Sequence, residues 1–268
     1  MALVVTGDVR IHHGFSSQAL GNRRDVRVYL PPGYEESPDK HYPVLYVHDG
    51  QNVFDSRTAA FGTEWGLDET AEHLIQEGKL PELIIVAADN TPDRLSEYSP
   101  LPDPKHGGGR AEAYARFMVD ELKPFVDRTY RTRAGAEHTG VMGSSMGGLV
   151  SLYLGFRHPE VYGLVGALSP SLWWADREAS RQLTATDSPG PRRLWLDAGA
   201  REGRDADENG VPDPIDNTRE LAGRLVETGF TRENFLFYRE VSDGAHNEAS
   251  WAARTGQVLQ ALYGPSPE

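Results

Sequence analysis

Residues 139–155 read TGVMGSSMGGLVSLYLG and place two serines between glycines, directly after a short apolar run and directly before a helical pattern. The pattern Gly-x-Ser-x-Gly is centred on Ser145, because centring it on Ser144 would require glycines where two methionines stand. This pattern is typical of a sharp strand-to-helix turn that lifts one hydroxyl above a sheet edge. The turn also puts Ser145 at a helix N-terminus, whose free N–H groups favour a developing anion. We therefore predict that Ser145 is a nucleophile.

Short strand-like runs alternate with helical patterns along the rest of the chain. The strand candidates are 24–31, 42–50, 82–89, 139–143, 163–170, 192–199 and 234–241, and the clearest helical patterns are 67–78, 111–130, 145–159, 216–229 and 247–264. This alternation predicts an α/β fold with a mostly parallel sheet, helices on both faces and antiparallel strands near the N-terminus. Because the chain contains no repeat and no long linker, we expect one domain over residues 1–268.

The composition of the chain narrows its range of partners. The 268 residues carry a formal charge of −13, and nucleic acids and anionic membranes are polyanions that recruit Lys and Arg. We therefore expect a neutral or weakly charged small molecule, with no nucleic acid and no membrane as partner. The absence of cysteine excludes disulfides and a cysteine nucleophile. The first residues lack the basic and apolar regions of a signal peptide, so we expect a cytoplasmic protein.

A serine hydroxyl becomes a good nucleophile only beside a base, which in turn needs an orienting acid. In this strand-turn-helix setting the chain order is serine, acid, histidine, and only His158 and His246 follow the serine. His158 lies at the far end of the helix that Ser145 begins, so His246 is the predicted base.

The acid is expected in the loop after the strand at 192–199. Glu202 is the first choice, while Asp205 and Asp207 are rivals and Asp197 should still lie within the strand. An oxyanion would be held by two backbone amides. These are the amide of Met146, beside the nucleophile, and that of Gln51, after the strand at 42–48.

The acidic loop 205–216, DADENGVPDPID, has the ligand spacing of an EF-hand calcium loop, although a strand precedes it where an EF-hand has a helix. The oxygen donors in the spacing are the side chains of Asp205, Asp207, Asn209, Asp213 and Asp216 and the carbonyl of Val211. We expect a structural Ca²⁺ that braces the loop, and no cofactor for catalysis. Metal ligation would occupy the two rival aspartates and so favours Glu202 as the acid.

Six segments together resemble one esterase family of the α/β-hydrolases. They are RVYLPPGYEES (27–37), YPVLYVHDGQNVFD (42–55), RLSEYSP (94–100), GSSMGGLVSLY (143–153), LWLDAGAREG (194–203) and GAHNEASW (244–251). The family groups enterochelin esterases, feruloyl esterases, S-formylglutathione hydrolases and mycolyltransferases, and the resemblance spans nearly the whole chain.

The resemblance implies an α/β-hydrolase fold and the same residue roles, with Glu202 in a position where many relatives have Asp. It also picks out Arg94, Glu97 and Tyr98 as a motif near the site, without a role.

The expected function is that of a serine carboxylesterase that acts through an acyl-enzyme on aryl, acyl or sugar esters. Trp173 and Trp174 either stack on a substrate ring or pack in the core. Trp65 and Trp251 are expected in the core or the pocket wall. Two other functions fit the sequence: acyl transfer to a sugar or alcohol acceptor, and a non-catalytic, calcium-braced ligand-binding module.

Overall fold

The computed structural model describes residues 5–185, 188–230 and 236–265. The strands are β1 (Asp8–Ser17), β2 (Asn22–Leu30), β3 (Val44–His48), β4 (Ile84–Ala88), β5 (Pro102–Asp103), β6 (Gly107–Gly108), β7 (Thr139–Ser144), β8 (Leu164–Leu168), β9 (Arg193–Gly199) and β10 (Leu236–Val241). The helices are α1 (Leu67–Gln76), α2 (Arg94–Glu97), α3 (Ala111–Arg116), α4 (Lys123–Thr129), α5 (Met146–Arg157), α6 (Glu178–Thr184), α7 (Asp213–Glu227), α8 (Glu248–Ala252) and α9 (Thr255–Tyr263).

Within the described residues, eight strands form one sheet in the order β1-β2-β4-β3-β7-β8-β9-β10. Every pairing from β4 to β10 is parallel, and β2 runs antiparallel to both β1 and β4. The predicted mostly parallel sheet with antiparallel pairing near the N-terminus is confirmed. β5 and β6 form a separate short hairpin.

The central strands are apolar because helices cover both faces of the sheet. β3, β4 and β8 are buried along their whole length. Alternate side chains enter two hydrophobic clusters, one containing Tyr46 and Val86, and the other containing Leu45 and Ile85. α5 is buried at Met146 and on through Phe156, as expected for a helix enclosed at the centre of the molecule.

The structure differs from the predicted elements in several places. β1 has no counterpart among the predicted strands, because it is a largely exposed edge strand without an apolar run. The predicted helix 111–130 contains a π-helical segment, Phe117–Leu122, between α3 and α4. The predicted helix 247–264 is two helices, α8 and α9, and Arg254 between them turns its side chain into the interior. Residues 234 and 235 of the last predicted strand lie outside the described residues.

The carboxyl ends of the parallel strands meet at one edge of the sheet, where α/β proteins build their sites. The segments that follow β3, β7, β8, β9 and β10 there carry the candidate residues described below. Across the described part of the chain, no helix combines the length and the apolarity needed to cross a membrane.

Candidate active site

Ser145 occupies the turn between β7 and α5. Its backbone has φ 57° and ψ −121°, a conformation that L-residues rarely adopt. A Cβ on Gly143 would lie 2.7 Å from the carbonyl carbon of Gly147, so glycine is required there for the turn to close. The preceding Ser144 is buried at the end of β7, whereas the Ser145 side chain is partly accessible. The sharp turn predicted around Ser145 is therefore present.

His246 and Glu202 lie beside this serine. His246 Nε2 is 2.9 Å from Ser145 Oγ, and His246 Nδ1 is 3.1 Å from Glu202 Oε2. The imidazole is 43% exposed, and the carboxylate is 1% exposed. The Trp251 indole packs edge-on against the imidazole, with ring centroids 5.0 Å apart. The structure thus brings together the three side chains that the sequence analysis selected, from β7, β9 and β10.

The other carboxylate oxygen of Glu202, Oε1, is held by hydrogen bonds. Glu202 Oε1 accepts hydrogen bonds from Ser169 Oγ at 2.6 Å and from the Gly199 amide at 3.0 Å. Arg254 Nη2 lies 3.6 Å from the same oxygen and donates to Ser169 Oγ at 2.6 Å. These contacts leave Glu202 Oε2 turned toward the imidazole of His246.

The three other acids near Glu202 in the chain have other partners. Asp197 lies in β9 as expected and accepts hydrogen bonds from both Arg254 and the Trp195 indole. Asp205 and Asp207 lie in the acidic loop and pair with its backbone. Sequence reasoning missed Ser169 and Arg254, because a polar residue after a strand and an arginine within a helical pattern carry no signal of a shared buried partner.

The backbone amides of Gln51 and Met146 are the two groups predicted to face an oxyanion. Neither donates to a protein acceptor among the described residues. Asp49 starts the turn after β3 with φ 59° and ψ 46°. A Cβ on Gly50 would lie 2.7 Å from the backbone of Ala87, so only glycine lets this turn pack against β4. Gln51 Oε1 accepts a hydrogen bond from the Asn90 amide at 3.1 Å, which ties the turn to the segment after β4.

The motif at 94–98 braces the same turn. Arg94 Nε and Nη2 donate to the two carboxylate oxygens of Asp49 at 2.6 and 2.7 Å. The Tyr98 hydroxyl accepts a hydrogen bond from the Asp49 amide at 3.3 Å. Glu97 points away and pairs with Arg24, both side chains being fully buried. The structure therefore gives Arg94 and Tyr98 contacts that the sequence alone did not.

His48, at the end of β3, is fully buried under this turn. Burial lowers the pKa of His48 to about 3, so its imidazole is neutral at physiological pH. Its Nδ1 lies 2.9 Å from the Tyr114 hydroxyl. A neutral, buried imidazole without contact to Ser145 is part of the support of the turn and adds no second base.

The two adjacent tryptophans after β8 have different environments. Trp174 is fully buried, and its indole N–H donates to the Leu101 carbonyl at 2.7 Å. Of the two predicted roles, Trp174 therefore has the one in core packing and does not stack on a substrate. Trp173 is 48% exposed, and its ring lies 5.7 Å from that of His106. Trp65 and Trp251 are buried, as expected.

The acidic loop folds back on itself. Carboxylate oxygens of Asp205, Asp207 and Asp213 lie within 4.8 Å of one another. Asp205 accepts hydrogen bonds from the amides of Asn209 and Gly210.

The Asn209 amide group bridges Asp207 and Asp216 through Nδ2, while its Oδ1 accepts from the Val211 amide. The carboxylates of Asp205, Asp207 and Asp213 thus converge, whereas the Asp216 carboxylate and the Asn209 oxygen pair with other groups of the loop.

The chain is similar to proteins of several bacteria. YbbA, an uncharacterised protein of Bacillus subtilis (strain 168), is 26% identical over 256 residues, covering 93% of this chain and 96% of YbbA. An endo-1,4-beta-xylanase/feruloyl esterase of Xylanibacter ruminicola is 26% identical over 277 residues, covering 94% of this chain and 32% of that protein. A solved ferulic acid esterase superposes with a TM-score of 0.72 at 20% identity, over 96% of this chain and 98% of the other, and confirms the fold.

A family model described as "Putative esterase" matches residues 17–261. The match includes the turns after β3 and β7 and the segments that carry Glu202 and His246. The chain therefore belongs to this esterase family, whose members are hydrolases that act on ester bonds.

Proposed function

We propose that the protein is a serine carboxylesterase that works through an acyl-enzyme. Ser145 Oγ attacks the ester carbonyl, and His246 Nε2 takes the hydroxyl proton and returns it to the leaving alcohol. Glu202 holds the imidazole and stabilises its protonated form. A water activated by His246 then releases the acid. The observation that carries this proposal is the pair of hydrogen bonds that joins Ser145 to His246 and His246 to the buried Glu202.

The amides of Gln51 and Met146 complete the proposed mechanism. Both lie in turns at the sheet edge that carries Ser145 and lack a protein acceptor among the described residues, so both remain available to a substrate oxygen. Such donors stabilise the charge that develops on the carbonyl oxygen, each by about 3 kcal/mol.

A pair of adjacent serines offers a direct test of the nucleophile. Ser145→Ala should lower kcat for p-nitrophenyl acetate by at least about a thousandfold, whereas Ser144→Ala, a change at the buried neighbour, should keep kcat within about threefold. Equal activity in the two variants would refute the assignment.

Exposed apolar side chains in the segments that follow three of the parallel strands favour an ester with an apolar or aromatic group. Phe61, Leu95 and Trp173 are large, exposed hydrophobic residues in the segments after β3, β4 and β8. The similarity to a feruloyl esterase supports an aromatic acyl group. Trp173→Ala should raise KM for methyl ferulate more than for methyl acetate. Val226→Ala, a change at an exposed residue of α7, is the control and should alter neither.

Membership of an esterase family counts against a non-catalytic binding module. Acyl transfer uses the same acyl-enzyme, and His246 is exposed enough to activate either a water or an acceptor hydroxyl. Hydrolysis is the proposal, because the chain belongs to a family of esterases. Products that appear only when a sugar or alcohol is added would establish transfer instead.

We infer that the loop 205–216 binds Ca²⁺ as a structural ion. Three converging carboxylates, with Gly210 at φ 87° at the sixth position of the loop, fit the oxygen-rich coordination that Ca²⁺ prefers. The ion would stabilise the connection between β9 and α7 and would take no part in the chemistry.

Calcium should raise the melting temperature, and EDTA should reverse the increase. Asp205→Asn should abolish this response, whereas Glu208→Gln, in the same loop but outside the ligand spacing, should retain it. A melting temperature and an activity that are both insensitive to EDTA and Ca²⁺ would refute the site.

A further inference from the structure

A buried carboxylate lies against the turn that carries the proposed nucleophile. Asp49 is 4% exposed, and a Cβ built on Gly147 would lie 3.4 Å from Asp49 Oδ2. Gly147 directly follows Met146, and Asp49 lies two residues before Gln51. The carboxylate therefore lies beside both backbone segments whose amides are proposed to hold the oxyanion.

An unpaired carboxylate in this place would oppose the reaction. The tetrahedral intermediate places a negative charge on the former carbonyl oxygen, and two like charges repel strongly where water is scarce. Burial by itself raises the pKa of Asp49, but Arg94 and the Asn90 side chain outweigh burial and lower the pKa below its ordinary value. The group is thus ionised at neutral pH, and its charge needs a partner.

Arg94 supplies this partner in a fixed geometry. Its Nε and Nη2 atoms make two parallel hydrogen bonds with Asp49, and the guanidinium lies 5.2 Å from the centre of the Tyr98 ring. The Asn90 side chain donates through Nδ2 to Asp49 Oδ1 at 2.6 Å. The backbone amide of Asn90 donates to Gln51 Oε1 at 3.1 Å. A two-bond contact restricts rotation of the carboxylate as well as cancelling its charge.

We propose that Arg94 is a positioning residue for ester hydrolysis: by binding Asp49 it cancels the negative charge beside the oxyanion and holds the Gln51 amide in place. This inference rests on the proposed esterase function. It assigns to Arg94 an effect on the chemical step that is separate from any effect on folding.

A charge-balanced double variant separates this role from simple bracing. Arg94→Gln leaves Asp49 without its cationic partner. At a pH where Asp49 is ionised, the variant should lower kcat for p-nitrophenyl acetate about 10- to 100-fold with KM within about threefold. Adding Asp49→Asn removes the negative charge of the carboxylate. Asparagine also tolerates the left-handed backbone conformation at position 49. The double variant should therefore regain about tenfold in kcat relative to Arg94→Gln alone.

The pH profile gives a second readout. In Arg94→Gln, the deficit in kcat relative to wild type should shrink as the pH falls, because protonation of Asp49 removes the repulsion. The double variant should show no such change relative to wild type. A residue that only braced the fold would not produce this difference between the two variants.

Arg27 provides a matched control. It makes the same two-bond contact with Asp89, at 2.8 and 2.9 Å, and both side chains are largely buried. Arg27→Gln should lower the melting temperature and leave kcat near the wild-type value.

Three results would overturn the inference: wild-type kcat in Arg94→Gln, a double variant no better than Arg94→Gln, or an equal loss of kcat in Arg27→Gln. A wild-type protein without esterase activity would instead refute the proposed function, so the two failures are distinguishable.

Discussion

At the scale of single residues, the site depends on how buried charges are paired. Two buried carboxylates, Asp197 and Glu202, contact one buried guanidinium, that of Arg254. Asp197 makes the two-bond contact, while Glu202 stays at 3.6 Å and directs its other oxygen to His246. Arg254 thus places a positive charge beside the two buried carboxylates, while Glu202 keeps its hydrogen bond with His246.

Glu202→Gln tests the charge of the acid with little change of shape. An amide cannot stabilise the protonated imidazole of His246, so kcat for p-nitrophenyl acetate should fall by about 10²- to 10⁴-fold. Glu160→Gln is the matched control, because Glu160 lies 3.4 Å from His158 in a histidine–carboxylate pair at the far end of α5. A fall in kcat of less than about threefold in Glu202→Gln would contradict the assigned role.

Asp68 should make stability depend on pH. Burial, followed by its contact with Glu69, raises the pKa of this fully buried carboxyl in the folded protein. The native state therefore binds a proton that the unfolded state has released at neutral pH, and stability falls as the pH rises toward the folded-state pKa. Asp68→Asn should raise the melting temperature at pH 8, and the gain should shrink toward pH 5. A gain that does not change with pH would contradict this account.

At the scale of elements, the turn between β7 and α5 sets the position of the nucleophile. Ser145 donates its amide proton to the Leu168 carbonyl at the end of β8, at 3.0 Å, so the neighbouring strand helps to hold the turn. Close contact between the turn and the first residues of α5 leaves no space for a side chain at position 143.

A pair of glycine substitutions tests this packing. Gly143→Ala would force a Cβ to within 2.7 Å of the Gly147 backbone, and should lower the free energy of unfolding by about 2–4 kcal/mol. Gly223→Ala, within α7 where a Cβ would meet nothing within 4 Å, should instead raise it by about 0.5–1 kcal/mol. Chemical denaturation measures both. A loss in the first variant no larger than the change in the second would contradict the account of the turn.

The elements that could be predicted from sequence are those with a local signal. The buried parallel strands have apolar runs, and the turn at Ser145 has its glycine pattern. Chain order then singled out His246, and position after β9 favoured Glu202. The contacts of Arg254 with Asp197 and of Arg94 with Asp49 could not be predicted, because these partners are 57 and 45 residues apart and ordinary surface arginines look the same in sequence. The break between α8 and α9 lies at Arg254, whose buried contact with Asp197 has no signal in the sequence, so the break could not be predicted either.

At the scale of the whole molecule, the formal charge of −13 should influence which esters are hydrolysed. A negatively charged protein repels anionic substrates over distances that salt shortens. Mono-p-nitrophenyl succinate should therefore have a lower kcat/KM than p-nitrophenyl acetate, and the gap should narrow as salt rises from about 20 mM to about 500 mM. A gap that is independent of salt would show that local contacts, and not the overall charge, select the substrate.

In the proposed mechanism, the folded molecule activates one particular serine, Ser145. The most direct test is the intact mass of the protein after treatment with a fluorophosphonate, for wild type and Ser145→Ala. We expect a single adduct on the wild-type protein and none on the variant. Folded wild-type protein without an adduct, or an equal adduct on the variant, would contradict this mechanism.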